Sequence, residues 1–347
     1  MEFSIIIPVY NRPEEVGELL ESLAKQTAKG FEVIIVEDGS DIKCRDVCES
    51  YAPRLDIHYY YKANSGPGRS RNYGAEHARG EYLIVLDSDV VLPPGYMEAV
   101  KKELAHEPAD AFGGPDRAHP SFTTTQKAIS YSMTSFFTTG GIRGGKRKLD
   151  KFYPRSFNMG IRRDVYRHLG GFSPMRFGED IDFSIRLYEA GCRCRLFPEA
   201  WVWHKRRTDF RKFFRQVFNS GIARINLYKR HPASLKPVHV LPAMFTVGSA
   251  ALILISAFGR AMMHYDFANW HTWYYVCAVP WLPLLAYSAA MLTDAAVRNR
   301  SLAVGFMSVA AAFTQLTGYG SGFIYAWWQR CVRGKDEFHA FDKTFYK

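Results

Sequence analysis

The chain has 347 residues, 47% hydrophobic and 15% aromatic, with a formal net charge of +11. That balance excludes a disordered chain and points to an anionic partner, either phosphates or a lipid surface. Zinc-finger spacing, an aromatic-basic RNA-binding signature and a helix-turn-helix cue are all missing, so nucleic acid is not the expected partner. The 6 cysteines (Cys44, Cys48, Cys192, Cys194, Cys277 and Cys331) show no paired C-x-x-C spacing and read as reduced cytosolic thiols.

The first residues, MEFSIIIPVYNR, have no basic n-region and no cleavage site, so a strand is expected there and not a signal peptide. Residues 3–8 are that strand, ended by Pro8 and a turn at Asn11-Arg12-Pro13. Pro13 suits a first helical turn and Glu14 and Glu15 its positive end; Val16, Leu19, Leu20 and Leu23 then recur at helical spacing. A second strand at 31–36 stops at Glu37-Asp38-Gly39-Ser40, and a helix runs through Val47 and Tyr51. Residues 57–61 are a third strand, 64–68 a polar turn and 74–78 a helix. That helix leads into the strand Tyr82–Leu86. Strand and helix alternating at this spacing predict an α/β fold, a mostly parallel sheet with helices on both faces.

The fourth strand runs into Asp87-Ser88-Asp89. Residues two apart on an extended chain point the same way, so both carboxylates can converge at the strand's carboxyl end. Open α/β sheets usually hold their ligands at that end. Two hard oxygen ligands suit Mg²⁺ or Mn²⁺ gripping a diphosphate; the simpler reading is a turn into Pro93-Pro94-Gly95. Further on, 111–114, 193–198 and 201–204 are strand-like. Residues 140–148, GGIRGGKRK, read either as a solvated loop or as one that closes over phosphates. Glu179, Asp180 and Asp182 open a helix, where acidic residues often only complement the dipole.

Residues 208–229 set phenylalanines at three- and four-residue spacing among Arg211, Lys212, Arg215 and Arg224. Such a helix lies in a bilayer interface or, alternatively, packs on the sheet. Three runs without Asp, Glu, Lys or Arg follow, at 238–258, 273–293 and 302–328, each long enough to span a bilayer, with Trp270, Trp273, Trp281, Trp327 and Trp328 near their ends. Lys229, Arg230 and Lys236 place the N-terminal domain in the cytoplasm by the positive-inside rule. Three full crossings would put Arg330, Arg333 and Lys335 outside. The third run, interrupted by Gly318, Gly320 and Gly322, could instead be broken or re-entrant.

Taken together, IIIPVYNR, VIIVEDGS, NSGPGRSRNYGAEHARGEYLIVLDSDV and FGEDIDFSIRLYEAG resemble the family 2 glycosyltransferases with a GT-A fold, over roughly the first 205 residues. The apolar tail resembles bacterial members that build surface polysaccharides or glycolipids, which implies a multi-pass protein of the bacterial inner membrane. The resemblance implies a catalytic domain at 1–205, and the residue patterns add an amphipathic helix and linker at 206–237, membrane segments at 238–328 and a basic tail at 329–347. It also implies a nucleotide pocket at Pro8, Tyr10 and Asp38, with Asp38 on the base and Arg71 near base or phosphate. Asp87, Ser88 and Asp89 would hold the donor and its Mn²⁺ or Mg²⁺, with His204 completing the metal's coordination. Glu179-Asp180 would be the acidic pair near the acceptor, with Asp180 the general base. A UDP-sugar is the implied donor, and a lipid-linked or membrane-proximal glycan the acceptor. Where processive members carry Q-x-x-R-W this chain reads Gln216-Val217-Phe218-Asn219-Ser220, which favours addition of one sugar. Transfer to a polyprenyl phosphate and a silent, nucleotide-sugar-binding membrane scaffold are the alternatives.

Overall fold

Three consecutive isoleucines show how the first strand is used. In β1 (Phe3–Val9), Ile5 and Ile7 enter one apolar layer and Ile6 the other. A strand buried on both faces belongs at the centre of a parallel sheet. The computed structural model, which describes residues 1–139 and 152–341, has β1 there. Following β1 come α1 (Pro13–Ala24), β2 (Phe31–Asp38), α2 (Arg45–Tyr51), β3 (Ile57–Lys62), α3 (Pro67–His77) and β4 (Tyr82–Leu86). The four strands are parallel, with Ile6 level with both Ile34 of β2 and Val85 of β4. Pro67 starts α3 where a polar turn was expected, because its fixed φ suits the first helical turn.

Next are β5 (Val90–Val91), α4 (Tyr96–His106), β6 (Ala111–Gly113) and β7 (Asp116–Arg117). The chain then makes α5 (Thr124–Thr134) and α6 (Phe136–Thr139), and later β8 (Asn158–Arg162), α7 (Arg163–His168), α8 (Glu179–Glu189), β9 (Cys194–Leu196) and β10 (Val202–His204). Sheet order is β3-β2-β1-β4-β8-β6-β9, with β8 antiparallel to both neighbours. Burial drives this layering. Leu19, Leu20, Leu23, Tyr96 and Val100 from α1 and α4 cover one face, and Ala75, Phe183 and Leu187 from α3 and α8 the other. The expected closing strand at 201–204 is β10, but it joins a separate sheet of order β5-β10-β7. That places His204 opposite Val90, one residue past Asp89. The glycine-rich basic loop at 140–148 lies outside the described residues.

The chain divides into two units: residues 1–120 with, among the described residues, 152–205; and 121–139 with 206–341. In the second, α5 and α6 join α9 (Phe210–Arg230), α10 (Leu241–Tyr265), α11 (Trp270–Ala278), α12 (Leu282–Asn299) and α13 (Leu302–Trp327). Asp209 caps α9 by accepting from the Lys212 amide at 2.7 Å. The apolar face of α9 packs on α13. Phe213 and Val217 meet Ala311 of α13, and Ile222 and Ile225 meet Phe323 and Ala326. The glycines of the third apolar run are contact points and not breaks, and α13 is one continuous helix. A Cβ on Gly318 would lie 2.6 Å from Val217, and one on Gly322 2.0 Å from the Phe218 carbonyl oxygen. Small residues four apart let two helix backbones approach this closely. Three stretches (Leu241–Tyr265, Trp270–Asn299 and Leu302–Val332) are long and apolar enough to cross a membrane.

Candidate active site

The site assembles at the carboxyl ends of β1, β2 and β4, where loops can reach a ligand without disturbing the sheet. Asn11, at φ 52°, stitches two of these loops together. Its side-chain oxygen accepts from the amides of Asp41 and Ile42 at 2.8 and 3.0 Å, and its own amide donates to Ser40 Oγ at 2.8 Å. Tyr10 follows the end of β1 at this edge, while Pro8 lies within the strand, level with Val36. Asp38, the last residue of β2, accepts from the Ser65 and Gly66 amides at 2.9 and 2.8 Å and from Lys62 Nζ. Both its oxygens thus already organise the loop before α3, and a base would have to share them. Ser88 is buried between the two aspartates.

Asp87, Asp89 and His204 offer ligand atoms that all lie within 4.8 Å of one another. Each carboxylate presents one oxygen inward and gives the other to an arginine. Asp87 Oδ2 and Asp89 Oδ1 lie 4.0 and 3.3 Å from His204 Nε2. Asp87 Oδ1 accepts from Arg71 Nη2 at 2.8 Å, and Asp89 Oδ2 from Arg12 Nη1. Burial alone would raise the Asp89 carboxyl; the hydrogen bond and charge of His204, with Arg12, outweigh it and hold it below the usual carboxylate range. Two hard oxygens and an imidazole nitrogen are a donor set for Mn²⁺ or Mg²⁺. The His204 ring stacks on Phe157 at 5.0 Å, and Nδ1 is buried with no partner among the described residues, leaving the tautomer free to follow Nε2.

Arg71 joins this cluster to the acidic pair. It is buried, and its second terminal nitrogen, Nη1, donates to Glu179 Oε1 at 2.7 Å. Glu179 and Asp180 open α8 after Gly178, which has φ 86°. Their environments pull them apart. Burial, opposed by Arg71 and reinforced by the charge of Asp180, pushes the Glu179 carboxyl up to about 7. Burial would raise Asp180 as well, but Arg155 Nε donating to its Oδ2 at 2.7 Å keeps it low. At neutral pH Asp180 is therefore ionised, while Glu179 is only partly so.

The structure thus brings Arg71, Asp87, Asp89, His204, Glu179 and Asp180 into one linked cluster, with Pro8, Tyr10 and Asp38 along the same sheet edge. Arg71, expected near base or phosphate, bridges two carboxylates of the site. Arg12 and Arg155 were missed. Arg12 stands inside IIIPVYNR, but nothing in that string says its partner is Asp89, 77 residues on. Arg155 has no local signal at all.

A mostly parallel sheet with an antiparallel insertion, and with its acidic groups gathered at the carboxyl edge, is a GT-A fold. Residues 4–170 match the model of the family described as Glycosyl transferase family 2. Residues 4–170 are thus similar to a family 2 glycosyltransferase domain. Over 261 residues the chain is 28% identical to a pre-mycofactocin glycosyltransferase of Mycobacterium tuberculosis, covering 68% of this chain and 50% of that one. It is 32% identical over 194 residues to an uncharacterized glycosyltransferase of Haemophilus influenzae, covering 54% of this chain and 62% of the other. The chain thus spans about half the length of the first of these relatives. A solved structure of similar fold is the mannosyltransferase PcManGT of Pyrobaculum calidifontis, in complex with GDP-Man and Mn²⁺. Its TM-score is 0.58 at 16% identity, over 95% of this chain and 88% of that one.

Proposed function

We propose that this chain transfers one sugar, with inversion, from a nucleotide-sugar to a hydroxyl of a lipid-linked or membrane-proximal glycan. UDP-sugars are the favoured donors, and the protein resides in the bacterial inner membrane with its catalytic domain in the cytoplasm. The observation that carries the reading is the relay Asp87–Arg71–Glu179, at 2.8 and 2.7 Å, which sets the carboxylates of the metal cluster beside the acidic start of α8. A site with negative charge on both flanks needs cations to admit a diphosphate. Asp87, Asp89 and His204 would hold the Mn²⁺ or Mg²⁺ that neutralises the departing diphosphate. The PcManGT complex with GDP-Man and Mn²⁺ supports a divalent ion and a nucleotide-sugar here.

The protein's own groups do the rest. Asp180, kept ionised by Arg155, accepts the proton of the attacking hydroxyl as the bond to the anomeric carbon forms. A low carboxyl pKa makes it a weak base, so proton transfer comes late, when attack has already acidified the hydroxyl. Arg71 fixes Asp87 and Glu179 and lends positive charge to the donor's phosphates. Attack opposite the leaving group inverts the anomeric centre.

The test is nucleotide release by the purified full chain across several nucleotide-sugars, with and without Mn²⁺, offered lipid phosphate or glycosylated lipid. Dependence on glycosylated lipid is expected. Equal turnover with lipid phosphate alone would make it a polyprenyl-phosphate glycosyltransferase. No release under any condition would leave a scaffold.

A further inference from the structure

The length and composition of the third apolar helix fit a membrane span, but its neighbours do not. Met307, Ala311, Gly318, Gly322, Phe323 and Ala326 of α13 lie successively along Phe210, Phe213, Val217, Phe218, Ile222 and Ile225 of α9, so the two helices run side by side in the same direction. Helix α9 carries Arg211, Lys212, Arg215, Arg224, Lys229 and Arg230, and begins five residues after Lys205, the last residue of the first unit. Six cations on one helix keep it out of hydrocarbon, and α13 must stay at the depth of its partner.

Burial separates the three apolar stretches in the same way. Only 6% of the most apolar window is buried in Leu241–Tyr265 and in Trp270–Asn299, against 39% in Leu302–Val332. The first two stretches form a hairpin, with Cys277 Sγ donating to the Ser256 carbonyl at 3.4 Å and Phe258 against Trp273. Both ends of this hairpin rest on α13. Thr246 Oγ1 donates to the Leu316 carbonyl at 3.3 Å, and a Cβ on Gly305 would lie 2.9 Å from the Leu292 carbonyl oxygen. The segment after α13 returns to α9. Asn219 clasps Ala340 in both directions at 2.9 Å, Asn226 Nδ2 donates to the Phe338 carbonyl at 3.0 Å, and Arg230 pairs with Glu337 at 2.8 Å.

Resting on the membrane association proposed above, we infer that the bilayer-embedded surface of this protein is the two-helix hairpin of α10 and α11–α12 alone. Helix α13 lies along the membrane surface beside α9, and residues 333–341 stay on the side of the catalytic domain. The charges agree. Lys229, Arg230 and Lys236 before the hairpin, Arg298 and Arg300 after it, and Arg330, Arg333 and Lys335 beyond α13 all fall on one side, whereas three crossings would separate the last group from the first.

The test uses Lys29→Cys, Ala268→Cys and Asp336→Cys in the full chain, treated with a membrane-impermeant maleimide over the wild-type background, first in spheroplasts and then after permeabilisation. Ala268→Cys should label in spheroplasts, and the other two only after permeabilisation. Labelling of Asp336→Cys from the face opposite Lys29→Cys would overturn the topology, as would labelling of Ala268→Cys from the same face as Lys29→Cys. Carbonate extraction separates this failure from that of the membrane reading, because release of the protein into the supernatant would remove both.

Discussion

Two trios of carboxylate and histidine side chains lie at opposite ends of the parallel strands of one sheet. Glu32, Asp56 and His58 gather at the amino ends of β2 and β3, and Asp87, Asp89 and His204 at the carboxyl end of β4. In the first trio an arginine fills the middle. Arg79 Nε meets Glu32 at 2.7 Å, and its Nη2 meets Asp56 at 2.8 Å and His58 at 2.9 Å, while Ser4 Oγ donates to Glu32 at 2.6 Å. In the second, Arg12 and Arg71 take only the outer oxygens and leave the inner ones facing His204. Similar residues thus make a closed network at one end and, at the other, one whose inner oxygens are left facing a histidine, as the proposed cation site requires. Which of the two can take a ligand depends on where the guanidinium groups sit, more than on the acids themselves.

The sharpest way to break this contrast is chemical. Asp180→Asn should lower transfer by about 10²- to 10⁴-fold, the usual worth of a general base, with donor affinity by calorimetry unchanged. Equal transfer by variant and wild type would remove Asp180 from the mechanism. Next, Asp89→Asn should weaken Mn²⁺ binding, followed by loss of the free-ion paramagnetic resonance signal, by about a hundredfold. Asp56→Asn should leave that titration where it is, and a comparable loss there would mean the two trios are not different in kind.

The stability counterpart runs the other way. Glu32→Gln removes the buried charge that accepts from Ser4 Oγ and Arg79 and should lower the urea midpoint, with Mn²⁺ binding intact. The last effect is a slope. The Glu179 carboxyl is raised in the folded state from an ordinary value near 4.5 to about 7, so its contribution is fully present below the lower value and is lost as pH rises through about 7. Stability should therefore fall over that window, by no more than about 1.4 kcal/mol per pH unit, and Glu179→Gln should flatten the fall. A wild-type profile parallel to the variant's would mean that Arg71 holds Glu179 ionised throughout.

Much of this protein was legible along the chain. The first four strands, α1, the D-x-D turn and the acidic opening of α8 all rest on local signals, alternation or helical spacing ended by glycine and proline, which act over a few residues. Strand β8 was not legible. Its residues, NMGIR, show no clear alternation, and an antiparallel insertion between β4 and β6 is decided by which edge is left to cover. Nor was the place of α5, which leaves the first unit for the second. Charge partners escape for a related reason. Arg12 finds Asp89 across 77 residues and Arg71 finds Glu179 across 108, and a guanidinium's choice among carboxylates depends on distances that no spacing rule encodes. The glycines of α13 show the limit most plainly. In one dimension, Gly318, Gly320 and Gly322 look like weak points in a helix. Only packing reveals them as the places where neighbouring helices come close, because a missing Cβ leaves room that is useful only when a second backbone is there to occupy it.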